Sequence, residues 1–405
     1  MPLQFPTGFR GAGVHCGIKS DPAREDLSLI VSDRPSVAVG VYTKNQVRAA
    51  AVEWDAQHTP CSDARVVVIN SGNANACTGN VGAKDTAQMA SLAATAAGCD
   101  TDQALVLSTG IIGEHLPMDK IEAGISDVAQ KLDDGEAALV AAARGMMTTD
   151  TVHKMRGREI KLDDDTVHVT GIAKGAAMIG PNMATMLAVV MTDACVSQAD
   201  AQAALSDAVV ESFNCISVDG HSSTNDTVLL IANGAAGDTV GDKAGKTPIA
   251  GRALDHFRAT VLEVCEDLAQ AIPADGEGAS HLITIEVHGC RDRSEATQIA
   301  KTIANSPLVK TAIAGADPNW GRIVSAAGYA GVDFDASQVT LLINGLLLYE
   351  HGVPVDFDDE AVSASIRDNR DCGIVVIFSE GAASARFWTT DLTAEYVRLN
   401  ADYHT

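Results

Sequence analysis

Lys174-Gly175-Ala176-Ala177-Met178-Ile179-Gly180-Pro181-Asn182-Met183-Ala184-Thr185-Met186-Leu187-Ala188-Val189-Val190 changes character halfway along. Its first part is a glycine-bearing loop stiffened by Pro181; from Thr185 it becomes an apolar, β-branched run that reads as a buried strand. A threonine at that junction stands where a loop enters a rigid sheet, a place suited to holding a nucleophile still. An alkyl hydroxyl is a poor nucleophile without an adjacent base. A threonine that heads its own chain carries one, the free α-amine, with a reference pKa of about 7.7–8.0. The stretch therefore raises the expectation of a cut between Ala184 and Thr185 that leaves Thr185 as an N-terminal nucleophile. By pattern alone, an uncut loop running into a core strand is the commoner meaning.

Outward from this junction, Arg158–Leu162 and Thr166–Ile172 flank Asp163-Asp164-Asp165 as a hairpin, and Ser197 is placed to cap a helix reaching about residue 213. Upstream, Val37–Tyr42, Arg65–Asn70 and Ala104–Leu107 read as short strands, with helices near 81–97, 118–132 and 135–147. Downstream, Thr227–Ile231 is a strand, and a helix near 250–272 carries Leu254, Phe257, Val261, Val264 and Leu268 on one face. His281–Val287 alternates like a strand. A helix (294–304), a loop (314–322), strands (339–343, 373–378, 384–388) and a last helix (391–400) follow. Strands and helices mix without strict βαβ alternation, so the expected fold is α+β: layered sheets and helices with antiparallel or mixed strands. At 405 residues the chain exceeds one typical domain. Composition weakens around 233–250 and 275–280, which divides it into a larger lobe (1–275) and a smaller one (276–405).

Acidic residues outnumber basic ones 53 to 29, a formal charge of −24, which argues against a nucleic-acid backbone or an anionic membrane as partner. Aromatics are 4% against 46% hydrophobic residues, so the core is aliphatic. Nine cysteines with no C-x-x-C pair read as reduced thiols. No apolar run approaches the ~18 residues of a membrane helix, and Met1–Pro6 lacks the regions of a signal peptide, so a cytoplasmic protein is expected. There is no H-E-x-x-H, P-loop or G-x-G-x-x-G after a strand, and Gly220-His221-Ser222-Ser223-Thr224 lacks the second glycine of a nucleophile elbow; neither a metal nor a bound cofactor is expected.

Three places carry groups suited to acyl chemistry, and two further stretches read as structural. Ser108-Thr109-Gly110-Ile111-Ile112-Gly113 ends a strand; the Thr109 hydroxyl and Gly110 N–H suit an oxyanion, which needs donors held at about 2.7–3.1 Å, although an ordinary strand-ending turn has the same look. Lys174 is a cation fit for an α-carboxylate, or simply a solvated lysine. Asp275-Gly276-Glu277-Gly278 sets a carboxylate between glycines, fit to meet an ammonium or manage a proton, or merely exposed on a turn. Asn70–Ala76 supplies short polar side chains that would support the oxyanion turn or cap the next helix, and Asp317-Pro318-Asn319-Trp320-Gly321-Arg322 reads as a brace between the lobes.

The segment Lys174–Leu187 resembles the self-cleavage segment of the ornithine acetyltransferase family, the bifunctional glutamate N-acetyltransferases of arginine biosynthesis. Matching stretches run from Gly8-Phe9-Arg10 to Tyr396-Val397-Arg398-Leu399-Asn400, essentially the whole chain. The resemblance implies autoproteolysis at Ala184–Thr185 into an α chain (1–184) and a β chain (185–405). It then implies ping-pong transfer: N-acetylornithine acetylates Thr185, ornithine leaves, and glutamate departs as N-acetylglutamate. It further implies that Thr109 and Gly110 form the oxyanion hole, that Thr148, Lys174, Glu277, Asn400 and Thr405 contact substrate, and that αβ units pair as a heterotetramer. Acetyl-CoA as a second acetyl source is left open, since the chain shows no CoA-binding signature. Two other readings stand beside this one: an N-terminal-nucleophile peptidase or amidohydrolase, and an uncleaved binding protein.

Overall fold

The computed structural model describes residues 3–162, 165–180, 186–237 and 247–402. Ala184, Thr185 and Thr405 lie outside the described residues, as do Pro181–Met183. Within them, the short apolar runs of the first 232 residues pair into one eight-stranded sheet: β1 (Phe9–Val14), β2 (Leu27–Tyr42), β3 (Cys61–Asn73), β4 (Ala104–Ile111), β5 (Lys154–Leu162), β6 (Asp165–Lys174), β7 (Leu187–Thr192) and β8 (Thr227–Ala232). The order across it is β4-β3-β2-β8-β7-β6-β5, with β1 on the first half of β2. The β3/β4 and β7/β8 pairs are parallel and the rest antiparallel, including the β5/β6 hairpin in which Leu162 faces Asp165. Strands β7 and β8 thus sit between β2 and β6, which both precede them in the chain.

A second, six-stranded mixed sheet comes wholly from later residues: β9 (Leu282–Cys290), β10 (Thr340–Ile343), β11 (Leu346–Glu350), β12 (Val353–Pro354), β13 (Asp371–Ile377) and β14 (Ala383–Thr390), ordered β12-β11-β10-β13-β9-β14. The helices are α1 (Ala50–His58), α2 (Gly79–Ala97), α3 (Met118–Ala129), α4 (Glu136–Gly145), α5 (Gln198–Glu211), α6 (Arg252–Ala274), α7 (Arg293–Ala304), α8 (Pro307–Ala314), α9 (Trp320–Gly328), α10 (Asp359–Arg367) and α11 (Ala394–Asp402). None among the described residues is long and apolar enough to cross a membrane. The architecture is layered α+β, as the sequence reads.

Strand β7 shows why the junction sequence folds as it does. All six of its residues are buried, and strict alternation sends them to opposite faces. Leu187, Val189 and Met191 join a cluster with Leu139, Ala142 and Ala143 of α4, whereas Ala188 and Val190 face α5 and α6. That second cluster runs on through Phe257, Val261, Val264 and Leu268 to Ile283, Ile285 and Val287 of β9, joining the two sheets through one core. Ser197 caps α5 as read, its hydroxyl accepting Asp200 N–H at 3.1 Å.

Two readings fail near the end of the chain. Residues 314–322 are not all loop: Asn319 accepts Arg322 N–H at 3.3 Å and starts α9 at Trp320, and α8 and α10 flank it. Nor does this stretch brace the lobes. Its bonds stay in the C-terminal layer, Arg322 donating to Leu308 O at 2.9 Å and Ala316 O accepting from Ser363 Oγ at 2.7 Å. The brace is Lys310, buried in α8, whose ammonium reaches Val218 O at 2.8 Å, Thr389 Oγ1 at 3.1 Å and Thr390 Oγ1 at 3.0 Å.

Candidate active site

Strands β4 and β6 end at the same rim of the first sheet, and the loops leaving them enclose a cavity of about 280 Å³. Thr109, Gly110, Thr148, Lys174, Glu277 and Asn400, far apart in sequence, all line it.

Gly110 is there for steric reasons. Its φ is +134°, and a Cβ would lie 2.2 Å from the carbonyl carbon of Gly72 on β3. The turn is fixed from behind by Asn225, in the loop before β8, which donates to Ser108 O at 2.8 Å and Ala74 O at 2.7 Å. Ser108 Oγ donates to Asn70 Oδ1 at 2.6 Å, and Asn70 Nδ2 to Asn73 O at 2.8 Å. The Asn/Gly-rich stretch therefore supports this turn. It also steadies the start of α2, with Asn75 Nδ2 donating to Gly82 O and Thr86 Oγ1, both at 2.9 Å.

Across the cavity, Lys174 is 3% exposed and its ammonium donates to Thr148 Oγ1 at 3.4 Å. Burial lowers its pKa, while Asp150 and Asp226 pull it back up. Asp150 organises this wall: Oδ2 accepts Thr148 N–H at 3.0 Å, and Oδ1 accepts Gly175 N–H at 2.7 Å and Lys154 Nζ–H at 2.7 Å. Burial alone would raise the Asp150 carboxyl, but Lys154 and Lys174 outweigh it and hold it at about 2. Lys154, 1% exposed, also meets Asp275 Oδ2 at 2.7 Å, which ties the loop bearing Glu277 to the same wall. On the outer side Lys19 donates to Met147 O at 2.6 Å and Arg24 to Thr148 O. Burial and the neighbouring Arg24 lower Lys19 to about 8.

The third wall joins the chain's last helix to the loop that leads to Thr185. Glu277 Oε2 accepts from Asn400 Nδ2 at 2.9 Å. Tyr396 OH donates to Asp219 Oδ2 at 3.2 Å, and the same carboxylate takes Met178 N–H at 2.7 Å and Ile179 N–H at 3.0 Å. Met186, which leads into β7, donates its N–H to Asp226 Oδ1 at 3.1 Å. Both described ends of the Thr185 segment are thus held by carboxylates on one short stretch, 219–226. Asp150, Asp219, Asn225 and Asp226 went unassigned in the sequence; a lone polar residue in a loop gives no periodic signal, and only their convergence in space marks them.

The ArgJ family profile matches residues 10–405. The chain is 45% identical over 401 residues to the arginine biosynthesis bifunctional protein ArgJ of Rhodopirellula baltica, covering 99% of this chain and 96% of that one. With the protein of the same name from Geobacter sulfurreducens it shares 42% over 398 residues, covering 98% and 99%. Among solved structures, the bifunctional protein ArgJ from Bacillus halodurans is 37% identical with a TM-score of 0.48, covering 52% of this chain and 96% of that one. The ornithine acetyltransferase of Mycobacterium tuberculosis, crystallised with ornithine, is 38% identical with a TM-score of 0.39, covering 44% and 92%. The chain belongs to the ArgJ family.

Proposed function

We propose that this protein is a self-processing acetyltransferase of arginine biosynthesis that moves acetyl from N-acetylornithine to glutamate through an ester on Thr185. The observation that carries the reading is the cavity in which Thr109, Gly110, Thr148, Lys174, Glu277 and Asn400 meet, at the sheet edge where Met186 leads into β7. In this reading the Thr185 hydroxyl attacks the Ala184 carbonyl, an ester replaces the peptide bond, and water releases chains 1–184 and 185–405. The new α-amine then activates the hydroxyl. Thr109 and Gly110 stabilise the tetrahedral oxyanion formed as acetyl arrives and leaves. Lys174 and Thr148 hold the amino-acid carboxylate, Glu277 faces the substrate's amine, and Asn400 and Thr405 contact the substrate. The two chains form αβ units that pair as a heterotetramer in the cytoplasm. No bound cofactor is required, and acetyl-CoA would enter as a substrate.

N-terminal sequencing of purified protein should return Thr-Met-Leu-Ala as a second start, and acetyl should pass from N-acetylornithine to glutamate only when Thr185 is present. Glutamate-independent release of acetate would make the protein a hydrolase of the N-terminal-nucleophile kind. A single intact, inactive chain would make it a binding protein. Glutamate-dependent release of CoA above the Thr185→Ala background would add the second activity.

A further inference from the structure

Beside the Glu277 loop lies a second cavity, of about 500 Å³, and Thr149 and Glu277 line both it and the first. The loop between them is held firmly. Glu277 N–H donates to Ala176 O at 2.9 Å, and Thr393 Oγ1 donates to Gly278 O at 2.7 Å. Gly278, at φ +64°, runs so close to α11 that a Cβ there would lie 2.5 Å from Tyr396 N.

Three charged side chains line the second cavity, Asp275, Glu277 and Arg370. Asp275 is committed to Lys154 at 2.7 Å and to Thr151. Glu277 accepts from a neutral amide, that of Asn400, at 2.9 Å. Arg370, between α10 and β13, is exposed, but its backbone is anchored, its carbonyl accepting Leu282 N–H at 2.9 Å. Its guanidinium donates to Ala274 O at 2.5 Å and makes no ion pair among the described residues. A guanidinium has donors to spare after one such bond, in the planar fork that a carboxylate fits.

The proposed reaction takes two amino acids in turn at one site. They share an α-carboxylate, but ornithine ends in an ammonium and glutamate in a carboxylate. Counted from Cα, the ammonium nitrogen and the carboxylate oxygens lie the same number of bonds away, so both ends reach equally far. A site with one sign of charge at that depth would favour one substrate and repel the other. The shared end is assigned to Lys174 and Thr148; the next residue, Thr149, already lines the second cavity.

We propose that Arg370 is the residue that selects the acyl acceptor: its guanidinium receives the side-chain carboxylate of glutamate in the second cavity. This rests on the acetyl-transfer reading above. When glutamate binds, Glu277 keeps the Asn400 amide and Arg370 answers the added negative charge. When the ornithine end binds, Glu277 turns to the ammonium and Arg370 stays on Ala274 O.

Purified protein is assayed for acetyl transfer from N-acetylornithine to glutamate, where each substrate's kcat/KM reports its own half-reaction. Arg370→Gln should lower kcat/KM for glutamate, relative to that for N-acetylornithine, by about tenfold or more, the usual worth of a charge-assisted contact. Arg370→Lys should recover part of the loss. Glutamine, of glutamate's size without its charge, gives the second readout: the wild-type preference for glutamate over glutamine should shrink by about tenfold in Arg370→Gln. A role confined to holding the loop through Ala274 would weaken both substrates alike and leave that preference in place. A ratio of kcat/KM values within about threefold of wild type, or an undiminished preference for glutamate, overturns the inference and leaves acetyl transfer intact. A wild-type protein that passes no acetyl to glutamate overturns both. Because Arg370 is exposed, the variant should fold, which circular dichroism checks. Should it not, a wild type that accepts glutamine as readily as glutamate overturns the inference.

Discussion

Replacing Lys154 by methionine removes a buried ammonium while nearly keeping its volume. Two carboxylates would lose their partner, Asp150 and Asp275, each 2.7 Å from the ammonium. Breaking a buried pair from one side typically costs about 3–5 kcal/mol. Here the lower figure applies. Asp150 keeps the N–H groups of Thr148 and Gly175 with Lys174 nearby, and Asp275 keeps Thr151. A loss of about 3 kcal/mol is a large share of the ~5–15 kcal/mol that holds a typical protein folded. Urea unfolding in a Thr185→Ala background keeps the chain in one piece and the transition unimolecular. Lys154→Met should lower the unfolding free energy by about 3 kcal/mol, and adding Asp275→Asn should return at least about 1 kcal/mol by removing one stranded charge. A loss under about 1 kcal/mol, or no recovery in the double variant, would refute the claim that this triad fastens the Thr148 and Glu277 loops together. The same wall sets an acid limit. The Asp150 carboxyl sits at about 2 when folded against an ordinary value of 3.8, so its contribution of about 2 kcal/mol is present above pH ~4 and is lost as pH falls toward 2.

Gly110→Ala would drive a methyl into the Gly72–Asn73 backbone and displace the proposed oxyanion donor; kcat for acetyl transfer should fall by about 10²-fold or more, and a near-native kcat would remove Gly110 from that role. Asn225→Ala strips donors from Ser108 O and Ala74 O, and urea unfolding should show a loss of roughly 2–4 kcal/mol. Asn225→Asp, which turns an acceptor toward two carbonyls, should be worse, and an Asp variant as stable as wild type would contradict the bonding described. Lys310 sits near 8, lowered mainly by burial, so the unfolded chain binds its proton more tightly. Relative to Lys310→Met, the wild type should gain up to about 3 kcal/mol between pH 8 and 10.5, and a flat difference would mean that the ammonium is not desolvated.

What could be read from the sequence was whatever repeats or runs contiguously. The alternation of β7, the one-sided face of α6 and the Ser197 cap are local patterns, and each appears as an element. Helix α10 was invisible because only Val362 and Ile366 are buried, too few to make a period; α9 hid behind an Asp-Pro-Asn start that reads as loop although Asn319 is its cap. The site divides the same way. Thr109, Lys174 and Glu277 lie in distinctive stretches, whereas Asp219 and Asn225 matter only because a remote turn and a remote loop arrive beside them. Lys154 gave no signal at all, since a lysine in a hairpin strand looks solvated until its two carboxylates close over it.

The placement of β7 and β8 between β2 and β6 bears on what scission at Ala184–Thr185 would leave behind. Of the eight strands in that sheet, six would belong to one polypeptide and two to the other, and those two are threaded through the middle. Pulling them out would open a gap two strands wide and strand backbone groups on four strand edges, so the halves could not part while the protein stayed native. Such a nick would act as a ratchet. The chain would fold once, as a single molecule, and cut protein that had been denatured would have to find its other half by collision, with a yield that depends on concentration.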